Sequence, residues 1–186
     1  MMVSNRPIVV VSPFANEKVR AWPLRHYREL IEIVLREGDE HVVIVGARMH
    51  RAAGNVLVRG LSSQRVTNAC GDTSWGELGT IIDAARYVVA NNSGVAHYAA
   101  SRGCWTLCLF SASHAYVEWR PRGPRVVTLV KETPCSPCVL GTDLCPNGFR
   151  CMTNLRPAEV FQWFKQVREN AGPPSEISGS DRSESG

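Results

Sequence analysis

The part of the sequence best suited to chemistry is a polar turn between a predicted strand and a predicted helix. A strand-like apolar run ends at Asn91-Asn92-Ser93-Gly94, and a helix of small residues follows. In a parallel α/β sheet this turn joins the carboxyl end of a strand to the amino end of a helix, where unpaired N–H groups attract anions. Ser93 can cap the helix, Gly94 lets a ligand approach the backbone, and His97 follows one turn later. The pattern fits an anion-binding turn, and it equally fits a well-capped helix.

A second group of candidate residues consists of four of the seven cysteines, which cluster near the carboxyl end. Their spacing permits a tetrathiolate zinc site, because four thiolates can close a tetrahedron around the metal. The alternative is a set of loop-stabilising thiols or a disulfide. The residues concerned are Cys135, Cys138, Cys145 and Cys151. No Ser-His-Asp or Cys-His nucleophile pattern is legible, so the sequence identifies no catalytic residue.

The elements that would position these residues alternate regularly along the chain. Short apolar runs rich in valine predict strands that are buried on both faces, and amphipathic or small-residue segments between them predict helices. This order is typical of an α/β fold with a Rossmann-like, doubly wound and mostly parallel sheet. Predicted strands cover 8–11, 41–45, 65–69, 87–90, 105–110 and 125–130, and predicted helices cover 24–35, 48–59, 75–82, 95–102 and 157–168.

We predict one folded domain with short extensions. Residues 1–6 form a short lead, residues 7–170 form the domain, and residues 171–186 form a tail that is too polar to fold. A cysteine-rich loop spans 134–152 within the domain. Trp22 and Trp75 are expected in the core or in a lid.

Composition excludes several classes of protein. The 186 residues are 44% hydrophobic and 20% charged, which is typical of a globular domain, and the net charge is +4. The tail carries −2, so the remainder carries about +6, enough to favour a phosphorylated ligand but without the dense basic run that nucleic-acid binding requires. No apolar run is long enough to span a membrane. An odd number of cysteines without a signal peptide predicts a cytoplasmic location.

Five motifs, taken in order, resemble the carboxyl-terminal half of the glycosyltransferase family 9 proteins, the heptosyltransferase group. The resemblance extends over roughly residues 7–168. The first motif is Ser12-Pro13-Phe14-Ala15 with Arg20-x-Trp22-Pro23, and the second is Val42-Val43-Ile44-Val45-Gly46. The third is Gly71-Asp72-Thr73-Ser74-x-x-Glu77-Leu78, and the fourth is Asn92-Ser93-Gly94-x-x-His97-x-Ala99-Ala100 with Leu109-Phe110. The fifth is Cys135-x-Pro137-Cys138 with Cys145 and Cys151-Met152.

This resemblance implies one lobe of a two-domain GT-B enzyme. Such enzymes transfer a sugar, often heptose from ADP-heptose, to a lipopolysaccharide core or a similar acceptor, with inversion and without a metal or other cofactor. The implied partners are a nucleotide-diphosphate sugar and an acceptor carried by a membrane lipid, which implies peripheral contact with the membrane.

The resemblance also assigns roles to residues around the turn. Ser93, Gly94 and His97 match the family's phosphate-binding turn, which includes Asn92 at its first position. Arg20 occupies the position of a family lysine that contacts the phosphate nearest the sugar, and Lys18 is a neighbour that can share this contact. Because an arginine forms two parallel hydrogen bonds to phosphate, the replacement is chemically plausible.

Two further matches concern the nucleoside and two departures concern charge. Thr73 and Ser74 match the segment that lies against the nucleotide base. The family commonly has an aspartate where this chain has Asn92, and an amide cannot act as a base. The family often has an acid after Gly46 that holds ribose hydroxyls, whereas residues 47–51 contain none.

The resemblance further implies that the acceptor-binding domain, which supplies the catalytic base, is not in this chain. We therefore expect a donor-binding half that is not catalytic on its own. The alternative is a non-catalytic nucleotide-sugar-binding or regulatory half that pairs with a separate acceptor-domain chain. His114 and Glu118, in a loop predicted at the same end of the sheet, either contact the sugar or are simply solvated.

Overall fold

The protein is built on a fully parallel six-stranded sheet. The computed structural model describes residues 6–112, 116–138 and 145–171, with the backbone alone at 116 and 117. The strand order is β3-β2-β1-β4-β5-β6, and each neighbouring pair is parallel. This confirms the predicted Rossmann-like α/β fold. The strands are β1 (Ile8–Ser12), β2 (His41–Ile44), β3 (Val66–Asn68), β4 (Ala85–Asn91), β5 (Trp105–Phe110) and β6 (Val126–Val130).

The helices cover both faces of the sheet. In chain order they are α1 (Leu24–Glu37), α2 (Arg51–Val58), α3 (Trp75–Ala84), α4 (Gly94–Ser101), α5 (Tyr116–Trp119), α6 (Arg150–Thr153) and α7 (Pro157–Asn170). Leu30 of α1, Leu57 of α2 and Phe164 of α7 belong to one core cluster, whereas Leu78 of α3 and Ala96 of α4 belong to the other.

The valine-rich strands explain this arrangement. In β1 the side chains of Val9 and Val11 enter the first core, and that of Val10 enters the second. Successive side chains of a strand point to opposite faces, so a strand with helices on both sides must be apolar at every position. The central position of β1 between β2 and β4 satisfies this condition.

Two predicted irregular segments contain short helices. Residues 150–153 form α6, which overlaps the end of the predicted cysteine-rich loop, and residues 116–119 form α5 in the loop after β5. His114 lies outside the described residues, as do 1–5 and 172–186, so the predicted lead and the predicted disorder of the tail are not tested. Within the described ranges, no helix combines the length and apolar character needed to cross a bilayer.

The strand order creates one point where the connections diverge. From β1 the chain proceeds outward to β2 and β3, and then returns to β4 on the other side of β1. Loops that leave the carboxyl ends of β1 and β4 therefore lead away from each other. In open α/β sheets the crevice between such loops is where ligands bind.

Candidate functional site

The amino end of α4 opens at this crevice. The helix starts at Gly94, directly after β4 ends at Asn91, and Ser93 is its N-cap residue. The first backbone bond of the helix runs from His97 N to Ser93 O at 3.3 Å. Because an α-helix bonds each N–H to a carbonyl four residues earlier, the N–H groups of the first turn have no acceptor within the helix and can bind an anion.

Gly94 leaves space at this helix end that the fold does not require. Its φ lies outside the left-handed region. A Cβ built on Gly94 would meet only Trp75 Cη2, at 3.4 Å, which is an ordinary van der Waals contact. Neither backbone conformation nor packing therefore explains why this residue lacks a side chain. Close approach of a ligand to the backbone does explain it.

Ser93, the residue before Gly94, has an unpaired side-chain hydroxyl. The residue is the N-cap of α4 by position and has the extended conformation of an N-cap. Its side chain makes no cap hydrogen bond, so the prediction that the Ser93 side chain caps the helix is wrong. Its Oγ is buried and has no hydrogen-bond partner among the described residues. An unpaired buried hydroxyl costs free energy, which a ligand atom bonded to it would recover.

Asn92 and His97 contact each other within the turn. Asn92 Oδ1 lies 3.2 Å from His97 Nε2, a contact that requires the proton on Nε2 because the amide oxygen can only accept. The backbone N–H of Asn92 donates to Leu109 O of β5 at 3.1 Å. Asn92 is buried and His97 is exposed. The Asn92 amide therefore orients the His97 imidazole. Because Asn92 is an amide, this position places no negative charge at the crevice.

Asn91 organises the loop opposite and was not identified as a site residue from the sequence. This fully buried side chain accepts hydrogen bonds at Oδ1 from Trp22 N and from the Tyr27 hydroxyl, both at 3.0 Å. Its Nδ2 donates to Pro13 O at 2.9 Å. One amide thus joins β4 to both ends of the loop between β1 and α1. The available signal was an amide directly after the apolar run 87–90.

The same loop carries the predicted cations. Residues Lys18–Arg20 form a 3₁₀ turn anchored by the buried side chain of Val19. Arg20 Nε lies 3.1 Å from Glu17 Oε2 in an ion pair whose members are about one-third exposed. Because Asn91 fixes both ends of this loop beside β4, Lys18 and Arg20 belong to the same edge of the sheet as the turn 92–94.

The predicted base-contacting segment is a helix cap. Ser74 is the N-cap of α3 and forms a capping box with Glu77, as predicted: Ser74 N donates to Glu77 Oε2 at 2.7 Å, and Glu77 N donates to Ser74 Oγ at 3.3 Å. The bonds that Ser74 N and Ser74 Oγ donate to the Glu77 carboxylate hold the pKa of Glu77 below its usual value. Thr73 precedes the cap and is half-buried. The segment lies at the carboxyl edge of the sheet, between β3 and α3.

An acidic residue does reach the carboxyl edge of the sheet near β2, although the segment 47–51 that directly follows Gly46 contains none. Asp72, from the loop between β3 and α3, forms an ion pair with Arg51 at the start of α2. The Arg51 guanidinium holds the pKa of Asp72 below its usual value. Beside them, the rings of Phe14 and His50 stack with centroids 4.2 Å apart. The tertiary fold therefore supplies a carboxylate that the local sequence lacks.

The clustered cysteines give no metal geometry. Among the described residues, no three Cys, His, Asp or Glu side chains are placed to hold a metal ion. Cys135 donates to or accepts from Thr133 Oγ1 at 3.3 Å, and this contact lowers the pKa of its thiol. All seven cysteines are free thiols. Burial in β5 raises the pKa of the Cys108 thiol to about 12.

A family model covers most of this chain. The model of glycosyltransferase family 9 (heptosyltransferase) matches residues 2–147. The chain belongs to glycosyltransferase family 9. Among curated relatives, lipopolysaccharide heptosyltransferase 2 of Salmonella typhimurium is 32% identical over 102 residues, which are 53% of this chain and 29% of that protein. The resemblance seen in the five motifs is thereby confirmed.

Solved heptosyltransferases share the fold of this family 9 chain. E. coli ADP-heptose lipopolysaccharide heptosyltransferase II superposes with a TM-score of 0.76 at 21% identity, covering 91% of this chain and 49% of that one. E. coli heptosyltransferase WaaC, solved with ADP-2-deoxy-2-fluoro heptose, superposes with a TM-score of 0.65 at 17% identity, covering 87% of this chain and 43% of that one. The chain therefore spans about half the length of these solved structures and about a third of the curated relatives.

Proposed function

We propose that this family 9 chain is a donor-binding lobe that holds a nucleoside diphosphate sugar, of the ADP-heptose type, with the diphosphate at the amino end of α4. The observation that carries the proposal is the space at Gly94, which nothing in the fold requires. The N–H groups of the first helical turn begin at this residue, and Ser93, whose hydroxyl is buried and has no hydrogen-bond partner among the described residues, directly precedes it. These are the groups that a phosphate binds.

Charge supports the same assignment. A leaving nucleoside diphosphate gains negative charge as the bond to the sugar breaks, and that charge must be stabilised by cations and by aligned N–H dipoles. The Lys18–Arg20 turn supplies the cations from the loop that Asn91 joins to β4. The imidazole of His97, oriented by Asn92, adds a polar group on the exposed side of the turn. Thr73 and Ser74 lie on the side proposed for the nucleoside.

The acceptor is proposed to enter from a second lobe that covers the carboxyl edge. Three of the six large apolar side chains that are exposed within the described residues follow the carboxyl ends of β1, β2 and β3: Leu24 is 40% exposed, Met49 is 85% exposed and Trp75 is 62% exposed. Exposed apolar side chains along one edge of the sheet are consistent with contact between this edge and a second protein lobe. A lipopolysaccharide-core acceptor would bring that lobe to the membrane surface.

We further propose that the isolated chain does not transfer sugar. An inverting transfer must remove the acceptor proton, which requires a base beside the acceptor oxygen. In the turn 92–94 the first position is an amide that is already bonded to His97. This observation also favours the second candidate function, in which the lobe binds or senses the nucleotide sugar and pairs with a separate acceptor-domain chain.

The first test replaces Gly94 by alanine. The new methyl group meets Trp75 at an ordinary distance, so the free energy of unfolding should change by less than about 1 kcal/mol. Affinity for ADP, UDP and GDP, measured by titration calorimetry with EDTA present, should fall about tenfold or more because the methyl group occupies the space proposed for phosphate. The matched control is Gly76→Ala in the first turn of α3, where a Cβ meets nothing within 4 Å.

Two outcomes would contradict the assignment. Wild-type protein that gives no binding heat with any of the three nucleotides at millimolar concentration would exclude donor binding. Equal affinities of the Gly94→Ala variant and the wild type would exclude this helix end as the phosphate site.

The second test concerns the cation. Replacing Arg20 by alanine should weaken nucleotide binding by about 1.5–3 kcal/mol, the usual worth of a charged hydrogen bond. The matched control is Arg36→Ala, at the far end of α1, where the side chain is 65% exposed and forms an ion pair with the neighbouring Glu37. Since Arg20→Ala also leaves Glu17 without this ion pair, the Glu17→Gln/Arg20→Ala double variant separates lost attraction from new repulsion. Equal losses in both arginine variants would indicate a general charge effect instead.

The third test measures transfer itself. The purified 186-residue chain, given ADP-heptose and a lipopolysaccharide-core acceptor, should release ADP slowly at most and form no glycosylated product. Product should appear when an amino-terminal family 9 lobe is supplied in trans. Robust turnover by the chain alone would overturn this part of the proposal.

A further inference from the structure

Among the described residues, Trp75 is the most exposed aromatic side chain at the carboxyl edge, with 62% of its surface accessible. Tryptophan is highly buried on average, so an indole this exposed needs an explanation. It is the first residue of α3 and directly follows the Ser74 cap. Its backbone position is therefore fixed by the capping box, although its ring is open to solvent.

The ring is also held in place from one side. Tyr98 packs against Trp75 edge to face, with ring centroids 5.5 Å apart at 82°. The Tyr98 hydroxyl accepts a hydrogen bond from Arg102 Nη1 at 3.3 Å, and that guanidinium lies 5.3 Å from the Tyr98 ring. Arg102 is in turn paired with Asp83 at the end of α3. The indole is thus oriented by a chain of contacts that joins α3 to α4.

The oriented ring borders the proposed phosphate position. Trp75 Cη2 lies 3.4 Å from where a Cβ of Gly94 would stand. A nucleoside whose phosphates occupy the amino end of α4 carries its base within reach of this ring. Every base offers a flat π-face that stacks on an aromatic side chain.

We infer that Trp75 is the stacking residue for the base of the bound nucleotide. The inference rests on the proposed function, and it adds a defined residue for the nucleoside half of the ligand. An indole stacks on any of the bases, so Trp75 provides affinity for the nucleoside without selecting its base. The choice between bases is left to hydrogen-bonding groups elsewhere. The open face of the indole becomes buried when the nucleotide binds.

The test compares two probes, ADP and inorganic pyrophosphate, on four proteins: wild type, Trp75→Ala, Trp75→Phe and Trp163→Ala. Trp75→Ala should lose about tenfold or more in affinity for ADP, with affinity for pyrophosphate unchanged. Trp75→Phe keeps a flat ring and should lose far less. Trp163 on α7 is the matched control, because it is also exposed, at 45%, and lies on the other face of the sheet.

Fluorescence gives an independent readout. Base stacking on an exposed indole should quench the emission of wild type and of Trp163→Ala when ADP is added, and Trp75→Phe should lose this quenching. Unchanged ADP affinity in Trp75→Ala, in the presence of measurable binding by wild type, would overturn the stacking role and leave the proposed function intact. Wild type that binds neither ADP nor pyrophosphate would overturn both.

Discussion

Replacing Asn91 by alanine tests how strongly one buried amide joins β4 to the loop between β1 and α1. The substitution removes two acceptor contacts and one donor contact at once, since Asn91 bonds Trp22 N, the Tyr27 hydroxyl and Pro13 O in a fully buried position. Each buried polar group left without a partner costs about 1–3 kcal/mol. Water entering the vacated space would recover part of that cost.

We therefore expect the free energy of unfolding to fall by about 3–5 kcal/mol, which is a large share of the roughly 5–15 kcal/mol available to a domain. Urea denaturation followed by tryptophan fluorescence measures the change, and the unfolding slope shows whether the native state stays compact. The matched variant is Tyr27→Phe, which removes one of the three contacts and should cost about 1 kcal/mol. A loss below about 1 kcal/mol in Asn91→Ala would refute the reasoning, because it would mean that the three groups find other partners.

Three further predictions concern a cap, a histidine and the thiols. Ser74→Ala removes the capping box of α3 and should lower the free energy of unfolding by about 1 kcal/mol in urea denaturation; an unchanged midpoint would contradict it. The pKa of His26 is lowered by burial and then by Arg25 and Arg156, so the unfolded state binds more protons and stability should decrease as the pH falls below about 6.5. His26→Gln should flatten this decrease between pH 7.5 and 5.5, and an equally steep profile would assign it to other groups. Elemental analysis should find only traces of zinc or iron, and near-stoichiometric metal would instead support a tetrathiolate site at Cys135, Cys138, Cys145 and Cys151.

The fold class was predictable because its strands and helices are indicated by patterns of neighbouring residues. Apolar runs bounded by turn residues predicted five of the six strands, and the short β3 was expected from a weaker pattern at 65–69. The capping pattern at Ser74 and Glu77 placed the start of α3. The parallel order followed because short strands and helices alternate without exception in the central part of the chain. Only the short helices α5 and α6, each of four residues, lack a periodic signal strong enough to detect.

The candidate site was predictable only in part, because its remaining features depend on pairing between distant segments. The turn at Ser93 and Gly94 could be singled out from sequence, since a helix start after a buried strand is a local pattern. The role of Asn91 arises only when β1 pairs with β4, which brings Pro13 and Trp22 to it. The capture of Asp72 by Arg51 likewise requires β2 to lie beside β3. No local window contains either partnership.

The central position of β1 has a consequence for the growing chain during synthesis. Ile8 pairs with Ala85, which lies 77 positions later in the chain. Parallel pairs between distant segments form slowly, since the intervening loop must first lose its freedom. Until β4 leaves the ribosome, one edge of β1 stays open and presents the apolar run Val9–Val11 to other chains. A nascent chain that stalls before residue 85 should therefore depend on chaperones that shield this edge.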